Sequence, residues 1–208
     1  MTVIDSIDSL RRKYREPSER VQRTAIPALD AHCRTFIAHS PFLVIGTAGA
    51  SEAGTAGGGD VSPRGDEPGF VQVLDDTTIL IPDRKGNNRL DTMANIVENS
   101  EVAIIFMIPG FDETLRVNGR ASLSSEPALL ETLSMGGKPA LMAIRVDVKE
   151  AFLHCNRAIR RAKLWDEENR PDRSILPGGG RMVHEMAKLD GDPAEADRTY
   201  YEGTRELY

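Results

Sequence analysis

Positive charge is what this sequence is short of. Its 32 Asp and Glu residues outnumber 26 Lys and Arg, for a formal net charge of −6. A general nucleic-acid-binding role, which needs a basic face, is therefore disfavoured. Cysteine is almost absent, and Cys33 and Cys155 alone cannot build a disulfide framework, which points to a reducing, intracellular compartment. No apolar run approaches the roughly 20 residues a membrane helix requires. The N-terminal stretch MTVIDSIDSLRRKYREPSER also lacks the apolar core of a signal peptide. The expectation from these absences is a soluble, cytoplasmic protein that binds neither membrane nor nucleic acid. What is present suits it: 208 residues, 40% hydrophobic and 28% charged, enough for one domain with appended terminal helices.

Periodicity divides the chain into three parts. Residues 1–40 read as a helical region packed on the core, with Leu29, Cys33, Phe36 and Ile37 on one buried face. Pro17-Ser18-Glu19 and Pro27 read as helix starts. From 41 to 155 the period shortens. Strands are expected over 41–48, 69–76, 77–82, 101–110, 113–123 and from 140, with SEAGTAGGGD (51–60) as a turn-rich connection and Asp75-Asp76 as a hairpin turn. Helices are expected over 90–100 and 126–135. Residues 156–168 read as a basic helix, and the rest, to 208, as an extended arm with a polar terminal helix. Six strands without repeated βαβ alternation favour an antiparallel barrel with peripheral helices over a doubly wound parallel sheet.

One segment concentrates donors. In IPDRKGNNRLD (81–91), Arg84, Lys85 and Arg89 lie with a glycine and two asparagines between a strand and a helix start. A helix N-terminus favours phosphate, and arginine grips it through a planar fork. Gly86 offers the loop conformational freedom, and Asn87 and Asn88 can cap the helix or bond a ligand. The bland alternative is a solvated, capped turn whose arginines pair with Asp83 and Asp91, and local chemistry leaves both open. The spacing is neither a P-loop nor a dinucleotide-binding turn. A second cluster, DVSPRGD (60–66), sets Ser62, Pro63 and Arg64 where they can face a ligand on the sheet or simply form a turn.

Other chemistry is thinly represented. His32-Cys33 and His154-Cys155 invite a metal or haem reading, but adjacent residues point apart, so no metal site is expected. His154 would be the first candidate for an axial haem ligand. Cys155 among Arg157, Arg160 and Arg161 reads either as a redox thiol or as a half-buried strand-end cysteine. No nucleophilic triad can be argued from spacing, and no catalytic residue is named.

The run from DVSPRGD through GFVQVLDDTTILIPDRKGNNRLDTMANIVENSEVAIIFMIPGFDETLRVNGRA resembles the FMN-binding split-barrel proteins related to pyridoxamine 5′-phosphate oxidase. Within that group it is similar to a bacterial subfamily marked by SPRGD followed by PDRxGNNRxD. The resemblance implies a mainly β fold, a six-stranded antiparallel split β-barrel that forms a homodimer with FMN in clefts between subunits. It implies that Arg84, Asn87, Asn88 and Arg89 hold the FMN phosphate with Lys85 at the rim. Ser62, Pro63, Arg64, Ile81 and Pro82 would lie along the flavin ring. Cys155 and Arg161, with Arg160 and Trp165, would approach from the partner subunit. The departures are equally specific. SSEPALLETLSMGGKP lacks the arginine and the serine–glutamine pair of authentic pyridoxamine 5′-phosphate oxidases, and the end, TRELY, lacks their basic segment. The expected function is thus an FMN-dependent oxidoreductase acting on a small-molecule substrate other than a B6 vitamer. The alternative is a carrier or sensor that binds FMN, or haem, without turnover.

Overall fold

The computed structural model describes residues 3–49 and 58–205. Most of the turn-rich connection read at 51–60 lies outside the described residues, as do the last three residues of TRELY. Two five-residue helices open the chain, α1 (Ile7–Arg11) and α2 (Glu19–Arg23), each capped by a serine, and neither has a buried residue. Helix α3 (Ala31–His39) starts not at Pro27 but behind Asp30, whose carboxylate accepts from Cys33 N at 2.8 Å. The strands are β1 (Phe42–Ala48), β2 (Gly59–Gly65), β3 (Gln72–Asp75), β4 (Thr78–Asp83), β5 (Glu101–Met107), β6 (Thr114–Ser124) and β7 (Met142–His154). Helix α4 (Asp91–Glu98) separates β4 from β5, and α5 (Pro127–Thr132) separates β6 from β7. Helices α6 (Arg157–Ala162), α7 (Gly179–Met186) and α8 (Pro193–Gly203) follow. No helix among the described residues is long and apolar enough to cross a membrane.

The sheet has seven strands, not six, in the order β2-β1-β5-β6-β7-β4-β3, with every ladder antiparallel. The additional strand is β2, the DVSPRG stretch that read as a connection and turn. It pairs with β1 alone and forms an edge, the one place where Pro63 costs no ladder bond. Four strands separate β2 from β4 in the sheet, yet Arg64 of β2 reaches Asp83 of β4 at 2.5 Å. The sheet therefore curls until its β2 edge comes back to β4, and side chains rather than ladder bonds close that side. This is a split barrel.

Alternation fills the interior. Leu43 and Ile45 of β1, Ile104 and Phe106 of β5, Leu115 and Val117 of β6, and Ile144 and Val146 of β7 are all fully buried. Leu29 just before α3, Cys33 and Ile37 on it, and Met93 and Ile96 of α4 join the same core. Leu90, at the cap of α4, and Val97 on the helix face solvent. Strand β4 is buried along its whole length because its outer face is covered too. There Leu80 packs with Leu133, Ala140 and Ala143. The long β6–β7 ladder bends where the register shifts at Gly119, and a Cβ there would stand 2.3 Å from Asp147 O.

Asp30 gives this part of the fold a pH dependence. The Cys33 backbone N–H it accepts holds its pKa below the ordinary carboxylate value. A depressed pKa contributes stability above the unfolded-state value and loses it as pH falls through the folded one. Asp30→Ala is expected to cost about 1 kcal/mol at neutral pH, as for other N-caps. In urea denaturation the difference from the parent protein should shrink as pH drops below 4.

Candidate functional site

A cavity of about 730 Å³ opens where the β2 edge, the end of β4, the loop to α4 and the start of β7 meet. That size suits a small-molecule ligand. Strand β2 contributes Asp60, Ser62, Pro63 and Arg64, and β4 contributes Pro82 and Asp83. The loop brings Arg84, Lys85, Asn87, Asn88 and Arg89 to the same wall. Met93, Leu141 and Met142 supply its apolar surface. The two motifs, far apart in strand order, thus form one site.

The loop takes its shape from Asn88 and Leu90 rather than from its glycine. Gly86 is not in the left-handed region; Asn88 (φ 59°) and Leu90 (φ 60°) are. Asparagine tolerates that conformation, whereas leucine does so only when its surroundings enforce it. Leu90 is the N-cap of α4 and supplies no side-chain cap, so the helix starts at Asp91 with its first-turn N–H groups open beside the cavity. Neither asparagine caps α4; Asn87 Oδ1 instead accepts from Arg89 N at 3.1 Å.

The cations are accompanied. Arg89 Nε meets Asp91 at 2.8 Å, the pairing the bland turn reading anticipated. Hydrogen bonding to Asp91 raises the pKa of Arg89 above the usual guanidinium value. Arg84, however, pairs with Asp66 at 2.9 Å and also donates to Leu133 O at 2.9 Å, leaving Asp83 to Arg64. Arg64 and Asp66 of the first motif therefore interlock with Asp83 and Arg84 of the second. Both pairs are largely buried, with side chains 2–18% exposed. Lys85 is exposed and forms no ion pair among the described residues.

Three of the proposed ligand contacts lie outside this cavity. The Ile81 side chain is fully buried on the inner face of β4 and belongs to the core, because strand alternation turns it away from the wall that Pro82 reaches. Cys155 and Arg161 follow the far end of β7, whose first residues border the cavity, about 40 Å of strand away. His154, the haem candidate, lies at that same distant end. No histidine, cysteine, tyrosine or glutamate lines the cavity among the described residues.

Of the two cysteines, Cys33 is the inert one. Burial in the core, with Asp30 beside it, pushes its pKa up to about 11. Cys155 is exposed. A thiol titration of the native protein near neutral pH should therefore leave Cys33 unmodified until denaturant is added. Modification of Cys33 in the native state would show that α3 opens readily.

The residues fit a flavin phosphate in donor chemistry: arginine forks, a lysine, asparagine amides and an open helix start around one cavity. No curated protein matches the chain. Among solved structures, HupZ of Group A Streptococcus is 17% identical, covering 60% of this chain and 93% of its own, with a TM-score of 0.47. An FMN-binding protein from Syntrophomonas wolfei subsp. wolfei is 12% identical over 72% of this chain and 97% of its own, with a TM-score of 0.44. The FAD binding protein from Mycobacterium smegmatis is 14% identical over 62% and 96%, with a TM-score of 0.42. These likenesses are too distant to transfer a ligand or an activity. The family profile described as pyridoxamine 5′-phosphate oxidase matches residues 29–155, more than half of the chain. That span contains every strand of the sheet, and the chain belongs to the pyridoxamine 5′-phosphate oxidase-related split-barrel family.

Proposed function

We propose that the protein binds a flavin, specifically FMN, and uses it as an oxidoreductase. The observation that carries this reading is the convergence of SPR (62–64) and RKGNNR (84–89) on one cavity in a chain of this family. Lys85, Asn87, Asn88 and Arg89, with the open first turn of α4, hold the phosphate. Arg84, anchored by Asp66, braces that loop from behind. Ser62, Pro63 and Pro82 form the wall along the ring, with Arg64 at its edge. Bound flavin supplies hydride acceptance from a small donor and electron delivery to oxygen or a small acceptor. The chain's own contribution is binding, orientation and local charge.

The working unit is a homodimer. Phe42, Val61 and Ile105 on the outer face of β1, β2 and β5 are exposed apolar residues suited to burial against a second copy. In that dimer Cys155 and Arg161 reach the flavin of the other subunit. A carrier or sensor without turnover is the second reading, favoured by a cavity wall that, among the described residues, offers no histidine, cysteine or tyrosine for proton transfer. Anaerobic mixing of the FMN-loaded protein with reduced nicotinamides separates the two. Bleaching of the flavin supports the oxidoreductase, and an unchanged spectrum with every donor supports the carrier.

A further inference from the structure

The aspartates that accompany the pocket arginines are not equivalent. Asp66 lies behind Arg84, almost wholly buried and away from the cavity wall. Asp91 sits in the first turn of α4 beside an exposed Arg89. Asp83 lines the cavity, as Asp91 does, but its pair with Arg64 is largely buried at 12% and 18% exposure, whereas Arg89 is 67% exposed. Arg64 is poorly satisfied in that pose. Its Nη1 meets Asp83 at 2.5 Å, but its Nη2 has only Met93 Sδ, a weak acceptor at 3.7 Å, among the described residues. Its Nε is buried with no acceptor among the described residues. A buried N–H without an acceptor is a standing cost, relieved when the guanidinium meets an oxygen-rich group that accepts through several lone pairs. Asp83 opposes that exchange twice, by holding the guanidinium and by presenting its own negative charge to whatever arrives.

We infer that Asp83 is an internal competitor for the ligand site: it occupies Arg64, and an electron-rich oxygen of the ligand must take Arg64 from it. The identity of that ligand rests on the flavin reading, in which the oxygen belongs to the FMN phosphate or to the carbonyl edge of the ring. Binding is thereby kept weaker than the count of cations suggests, and the flavin is held exchangeably rather than as a permanent prosthetic group. The competition closes the barrel seam when no ligand is bound and loosens it when one is.

The test is the affinity of the full chain and of Asp83→Asn for FMN, riboflavin and inorganic phosphate, with folding checked by thermal melting. The variant keeps the shape of Asp83 and removes its charge. About tenfold tighter FMN binding is expected. A gain shared by phosphate but not riboflavin assigns Arg64 to the phosphate, and the reverse assigns it to the ring. Unchanged or weaker FMN binding by a folded variant overturns the inference and leaves the flavin reading standing. Tighter phosphate binding by the variant, with no FMN bound by either protein, supports the competitor and removes the flavin. No binding of any probe by either protein overturns both. Should the single variant fail to fold, Arg64→Met with Asp83→Asn removes both charges of the pair and avoids leaving one uncompensated. Removing the donor together with its competitor should weaken FMN binding by only about three- to tenfold, and a loss of about a hundredfold or more would show that Asp83 did not restrain Arg64 and overturns the inference.

Discussion

Replacing Arg84 with alanine is expected to lower the folding stability by about 3–5 kcal/mol, the usual cost of removing one partner from a buried ion pair. The Asp66 side chain is 2% exposed and would lose the guanidinium that faces it at 2.9 Å. Leu133 O would lose the same donor, and with it the tie between the loop and the segment after α5. Against a total stability of about 5–15 kcal/mol for an ordinary domain, such a loss is large. The urea midpoint reads it directly. Asp66→Asn should also destabilise, by less, because a neutral amide can still accept from Arg84. An Arg84→Ala protein with the parent's midpoint would mean that the two motifs are not interlocked as described. The same geometry carries a warning for binding studies: lost flavin in Arg84→Ala reports a damaged seam before it reports a missing phosphate contact.

The second large effect lies at the exposed residues. Lys85→Ala combined with Arg89→Ala is expected to weaken FMN binding by about 10²–10³-fold, through loss of charge-assisted hydrogen bonds to phosphate. The fold should tolerate both changes. Lys85 is exposed, and Arg89, with its side chain 67% exposed, contributes little to stability through its pair with Asp91. Titration by flavin fluorescence, alongside thermal melting, separates affinity from stability. Riboflavin, which lacks the phosphate, should bind the parent and the double variant equally. An equal loss for riboflavin would place these residues against the ring or in the fold.

How much of this was legible in the sequence differs from element to element. The buried stripe of α3 was, because Cys33 and Ile37, with Leu29 just ahead of the helix, follow helical spacing and all three join the core. The core strands were, because β5 and β7 alternate cleanly between inward apolar and outward residues. Strand β2 was not. Its Ser62, Pro63, Arg64 and Gly65 have turn chemistry, and only its position as an edge paired to β1 makes it a strand. Helix α7 was hidden for a related reason. Gly178, Gly179 and Gly180 read as an extended arm, but α8 packs so closely that a Cβ on Gly180 would stand 2.3 Å from Ala196 O. Helix α6 is shorter than its composition suggests, ending at Lys163 in the left-handed region.

The site shows the same division. Its cations were visible as a cluster of donors, and two of the charge pairs were not. Which carboxylate holds which arginine depends on the curl of the sheet, and no local pattern encodes that. One signal was available, since SPRGD and PDR each join an arginine to an aspartate. A reciprocal pairing between them is the arrangement that leaves neither charge buried alone.

The central claim is that the cavity between the two motifs holds FMN. It is tested most directly by dialysing the purified protein to equilibrium against FMN and recording the spectrum and mass of what is concentrated on the protein side. The account predicts an excess flavin band near ~450 nm with the protein and the mass of FMN. No excess of flavin on the protein side would contradict it, and so would a bound haem.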